Sequence, residues 1–317
     1  MKRLLLFICV ALLTVAANAQ TSALATLSHN GEITTYYSSK ALQEAHKVAQ
    51  DGDVITLSGG LFEPATITKN VTVRGAGMAG NDPTIISGTL YVKPATKDGF
   101  VTLEGLFVTE SIYTEKADNL HLVKCKMSRY STGSGSNASQ SLNIIQCEML
   151  SGYHNYGDGA VITNSYIQNT SSARISNATI ENSIINSYIG YIDNSYLINC
   201  IITDTDSRAT TLLPKNSIAT NCYYIGKATD PFKNVPNRTN KSFAEGTQFL
   251  KEGSTVYELL DELQTTWLGS DGTQVGMHGG NLPFDPETTT PKIKKFEVSQ
   301  KTSADGKLSI NLEIDAD

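Results

Sequence analysis

Between Leu103 and Tyr224 a short phrase, a small residue followed two positions later by an apolar one, returns at a spacing too long for a helix heptad. Its clearest copies are Asn164-Ser165-Tyr166-Ile167, Asn182-Ser183-Ile184-Ile185, Asn199-Cys200-Ile201-Ile202 and Asn221-Cys222-Tyr223-Tyr224. Looser copies stand at Cys125 and Cys147, and Leu106 keeps only the frame. The anchors at 106, 125, 147, 165, 183, 200 and 222 are separated by 19, 22, 18, 18, 17 and 22 residues. That is the period of a solenoid coil. Three residues before the anchor stand Leu103, Leu122, Ile144, Ile162, Ile180, Leu197 and Ala219, and two after it Val108, Met127, Met149, Ile167, Ile185, Ile202 and Tyr224.

A straight strand keeps one parity facing inward, so an odd apolar offset followed by even ones predicts a bend between them. The corner falls on the residue before the anchor, Asn in the last four coils and Gly105 in the first, both tolerant of left-handed backbone angles. Asparagines stacked there are expected to bond to one another along the axis. The small anchors Cys125, Cys147, Ser165, Ser183, Cys200 and Cys222 should point into the core. Ala178-Thr179-Ile180 followed by Ser183-Ile184-Ile185 repeats after five residues, which also admits a four-sided pentapeptide solenoid.

Upstream, Ala41, Leu42, Ala45, Val48 and Ala49 recur at helical spacing after Ser38-Ser39, predicting a short helix over about 39–50 that Asp51-Gly52 ends. Val54-Ile55-Thr56-Leu57, Ala65–Thr68 and Val71–Val73 read as strands separated by Gly59-Gly60 and followed by Gly75-Ala76-Gly77. This order of helix, Asp-Gly-Asp, strand, glycine turn and strand resembles the opening of secreted right-handed parallel β-helix proteins of the pectate-lyase-like group. The resemblance implies an all-β fold, a right-handed parallel β-helix solenoid whose N-terminal α-helix caps the open end.

The regular coils are expected over about 103–226 and a closing segment over 227–284, completing a domain of 20–284. Leu259, Leu260 and Leu263 predict a lid helix within Val256–Gln264, and Gly269–Gly280 resembles the tail that closes β-helix domains in secreted proteins of Bacteroides-like bacteria. Residues 285–291 read as a linker. Residues 292–317 form a β-hairpin or the start of a small β module, with Leu308, Ile310, Leu312 and Ile314 in strict alternation.

Composition narrows the setting. Lys2-Arg3, the apolar run Leu4–Val15 and Ala17-Asn18-Ala19 have the layout of a signal peptide over 1–19, so export to the periplasm, cell surface or medium is expected. No later run is long and apolar enough for a transmembrane segment. The net charge of −6, without a Lys/Arg cluster, argues against nucleic acid as a partner.

Candidate chemistry is sparse. Cys125 and Cys147, like Cys200 and Cys222, occupy the same ladder position in adjacent coils, as stacked thiols or as two disulfides. Without a nearby His or Asp they fall short of a zinc set, so no metal and no cofactor is expected. The excursions Arg129–Gln140, Ser151–Gly159 and Asp204–Lys215 project from the coils. Among them His154 and Asp158 are the candidate catalytic pair, and Tyr130, Tyr153, His154, Tyr156 and Tyr166 the candidate ligand-binding set, since exposed tyrosine suits stacking on sugars or proteins. Catalytic motifs of the enzyme members of the resembling group are absent from the coils. The expectation is therefore a non-enzymatic module binding a glycan or a surface protein along its rigid face. The alternatives are a polysaccharide lyase or glycoside hydrolase, and a purely structural assembly component.

Overall fold

The computed structural model describes residues 23–96, 98–150, 156, 158–169, 175–204, 209–236, 239–287, 292–298 and 310–315. The chain winds into a parallel β-solenoid of about nine turns, with sheets of 11 and 12 strands as its two long faces. The apolar rows of the sequence are the register of these sheets. Leu103, Leu122, Ile144, Ile162, Ile180, Leu197 and Ala219 pair in succession along the first sheet. Val108, Met127, Met149, Ile167, Ile185, Ile202 and Tyr224 do so along the second. Both rows are buried.

The corner lies where parity places it. Lys124, Gln146, Asn164, Asn182, Asn199 and Asn221 take φ between 46° and 55°, the left-handed region. A second left-handed corner stands five residues earlier, at Asn119, Ser141, Gly159, Asn177 and Asn194. The five-residue beat that admitted a pentapeptide coil is thus the length of one side between two corners. A third, shorter face carries residues 66–67, 90–92, 112–114 and 130–132 in parallel register.

The anchors Cys147, Ser165 and Ser183 each both donate and accept. Ser165 Oγ donates to the Thr163 carbonyl (2.7 Å) and accepts the Cys147 backbone N–H (3.0 Å), and Ser183 Oγ does the same with Glu181 O (2.7 Å) and Ser165 N (3.1 Å). Cys147 Sγ accepts from Cys125 N at 3.3 Å. Small side chains carrying a donor and an acceptor satisfy backbone groups that the sharp corner withdraws from the sheet ladder. Cys125, Cys147, Cys200 and Cys222 are free, buried thiols, and burial pushes Cys147 and Cys200 well above the usual thiol range.

At the N-terminal end, strands β1 (Leu24–His29) and β2 (Glu32–Tyr37) form an antiparallel hairpin turned at Asn30 (φ 49°) and Gly31 (φ 85°). Such Asn-Gly pairs suit the twist of two-residue hairpins. β1 also pairs antiparallel with Val54–Leu57, so the hairpin extends the first sheet and leaves β2 at its edge. Helix α1 (Ala41–Val48) buries Ala41, Leu42, Ala45 and His46 against this end, while Val48, expected on the apolar face, is exposed.

At the other end Lys241–Ala244 adds the last parallel strand. The predicted lid helix shrinks to one turn, Asp261–Gln264, because Leu259 bridges to Leu250 and Tyr257 takes φ 60°. The hairpin strands are Lys292–Val298 and Ile310–Asp315, paired antiparallel.

Candidate functional site

After Trp267 the closing segment turns back and runs down the outside of the solenoid, along the first corner. Ser270 N donates to Asn199 Oδ1 (2.9 Å), and Asn164 Nδ2 donates to the carbonyls of Met277 (2.8 Å) and Gly279 (2.7 Å). Gln146 Nε2 donates to Pro283 O, and Lys124 Nζ meets Asp285 Oδ2 at 3.0 Å. Glycine is required at 269 and 280, where a Cβ would collide with the amides of Asn199 and Asn182. The expected axial bonding of the corner asparagines gives way at Asn164 and Asn199, whose side chains hold the returning strap instead. It holds at the second corner, where Asn194 donates to Asn177 and Asn177 to Asp158 Oδ1 (2.5 Å).

The strap also closes over the outer face of the second sheet. Ile184, Ile201 and Tyr223 pack there against Leu259, Trp267, Val275, Met277 and Phe284. Beside them Glu148 is buried, 3.0 Å from Lys126 Nζ, and close by the Tyr257 ring stacks on Tyr166 at 4.3 Å. Burial and the Glu148 charge both raise the Tyr257 hydroxyl, so it stays protonated. This group joins strap to coil.

The structure redistributes the candidate binding residues. Tyr130 and Tyr156 are not surface rings: both are buried and stack on each other at 5.9 Å. Where Val108 and Ser111 face Met127 and Arg129 the register shifts, and the inward parity of the 126–132 strand changes after Met127, so Tyr130 follows Leu90 and Ile112 into the core of the third face. Its hydroxyl pairs with Thr114 Oγ1 at 3.0 Å. Tyr166 is half-buried beneath Tyr257. Tyr153 and His154 lie outside the described residues, and Asp158 is exposed, with its carboxylate held by Asn177.

One open surface is the third face near the N-terminal end, where Tyr91 is exposed. Tyr91 and Tyr113 stand opposite each other in adjacent coils, their rings 5.8 Å apart and edge to face. Lys93 Nζ lies 5.2 Å and 5.3 Å from the two ring centroids and pairs with Glu115 at 3.1 Å. That lysine holds the Glu115 carboxyl below its usual range, while burial and Glu115 raise the Tyr113 hydroxyl. Tyr91 borders a shallow depression of about 300 Å³ lined also by Gln43, Pro64, Ala65, Thr66 and Thr89. Sequence reasoning missed this pair because the first coils are irregular. The signal was the alternation in Leu90-Tyr91-Val92 and Ile112-Tyr113-Thr114, which turns both tyrosines outward.

Among the described residues no three His, Cys, Asp or Glu side chains converge to hold a metal ion, and no helix is long and apolar enough to cross a membrane. No protein-family model, no curated protein and no solved structure matches the chain.

Proposed function

We propose that this protein is an exported carbohydrate-binding module of the parallel β-helix type, with its ligand platform on the third face at Tyr91 and Tyr113. The observation that carries this reading is the outward pair of tyrosines in adjacent coils, backed by rigid strands and bordered by a depression. An aromatic ring presents an apolar face to the C–H side of a sugar and a hydroxyl at its rim. Lys93, Glu115, Thr66, Thr89 and Gln43 supply donors and acceptors around the rings for the sugar hydroxyls. Because the two rings sit on neighbouring strands, their spacing is fixed before the ligand arrives, which lowers the ordering cost of binding. The layout of residues 1–19 and the resemblance of the opening coils to secreted β-helix proteins support export and a place at the cell envelope.

A screen of the purified protein against a panel of neutral and uronic-acid glycans tests the reading. Retention of at least one glycan is expected, with loss of retention in Tyr91→Ala at unchanged circular dichroism. Turnover of a glycan, abolished by removing His154 or Asp158, would replace this reading with the enzymatic one.

A further inference from the structure

We propose that β2 is an interface strand through which two copies of this chain join their first sheets into one. β2 is the edge of the 11-stranded sheet and pairs only with β1 among the described residues. An edge strand of six residues exposes a row of backbone donors and acceptors, and soluble proteins commonly guard such edges with lysine, proline, a bulge or an inward charge. β2 has none of these. Its register with β1 is unbroken, its one charge is Glu32 at the end, and Ile33 and Tyr37 are 71% and 67% exposed.

Parity fixes which side chains a partner strand meets. Thr34 and Tyr36 pair with the buried Leu27 and Ala25, so they lie on the core side, and Ile33, Thr35 and Tyr37 share the outer side. An antiparallel pairing about a two-fold axis through Thr35 sets Ile33 opposite the partner's Tyr37, and Tyr37 opposite the partner's Ile33. Thr35 then meets its own copy on the axis. On the outer side this register makes two aromatic–β-branched pairs and one Thr–Thr pair, the cross-strand combinations that stabilise antiparallel sheets. It also places each Glu32 opposite the partner's Ser38, so no like charges meet. Centring on Thr34 instead would leave Tyr37 opposite a glycine. The strand is thus complementary to itself in one register, which is the requirement of an isologous interface.

The test uses the full chain. Sedimentation across a concentration series should give a reversible dimer, and Thr35→Cys should cross-link through its new thiol under mild oxidation, identified by peptide mass. Ile33→Lys should weaken the dimer by about tenfold or more, because it exchanges two stabilising pairs for two buried-edge cations. Adding Tyr37→Glu should restore it, since the two substituted positions face each other across the axis. A monomer at every concentration, or a dimer indifferent to Ile33→Lys, overturns the proposal. So does strong amide-exchange protection of Ile33, Thr35 and Tyr37 in a monomer, since the alternation set by the Ser38 N–H to Ala23 carbonyl bond turns these amides away from β1.

Discussion

The side-chain amide of Asn164 donates to the Met277 carbonyl at 2.8 Å, across 113 residues of chain, and to Gly279 at 2.7 Å. One residue thereby serves as the corner of a coil and as the hook for the strap that closes the molecule. Its left-handed φ of 47° and its buried amide are separable properties.

Asn164→Gly keeps the backbone angle and removes the hook. It should cost about 1–3 kcal/mol, the range for leaving buried polar groups without partners. Asn164→Ala should cost about 1–2 kcal/mol more, since alanine resists the left-handed region. Urea unfolding of the two variants separates the contributions. Trp267, the single tryptophan, packs against both Tyr223 and Phe243, so its fluorescence reports release of the strap.

The anchor ladder predicts an unusual tolerance. Ser183→Ala strands the Ser165 N–H, while the Glu181 carbonyl keeps its bond from Asn164 N, and should destabilise by about 1–3 kcal/mol. Ser183→Cys should cost less, because cysteine fills the same rung at 125, 147, 200 and 222 and bonds in the same way. Thermal denaturation of both variants checks the order.

The four described thiols are buried and two of them are pushed well above the usual range, so the thiolate needed for attack is scarce. Iodoacetamide should leave Cys125, Cys147, Cys200 and Cys222 unmodified in the native protein and label all of them after unfolding, as read by peptide mass. Disulfide-linked peptides at 125/147 or 200/222 would contradict this.

His46 sets a pH limit on the capped end. Burial, then Lys69, lowers its pKa, and its Nε2 accepts the Thr68 N–H at 3.1 Å, which requires the neutral ring. The unfolded chain therefore binds a proton first. Stability from this group is complete above the ordinary imidazole value of 6.5 and is lost as pH falls below it through the lowered folded value. His46→Gln should flatten that part of the stability–pH curve, measured by chemical unfolding from neutral to mildly acidic pH.

The coils were legible because burial of two rows with opposite parity leaves a signature in every turn, and residues such as Ile144 and Met149 occupy their predicted registers. Asn30-Gly31 carried a signal for the N-terminal hairpin that the reading of the sequence did not use. The strap was not legible. Asn164 bonds to carbonyls, which every residue carries, so neither Met277 nor Gly279 advertises the contact. Tyr130 was misplaced because the register shift opposite Val108 and Ser111 exchanges the inward and outward rows of its own strand after Met127. Tyr91 and Tyr113 become neighbours only when coils separated by 22 residues are stacked in register.

The most direct measurement is a titration of a retained oligosaccharide into wild type, Tyr91→Ala, Tyr113→Ala and the double variant. Each single change should weaken binding about fivefold to tenfold, as stacking on one ring is worth on the order of 1 kcal/mol. The double variant should depart from additivity, because both rings touch one ligand. Affinity unchanged in both single variants would contradict the account.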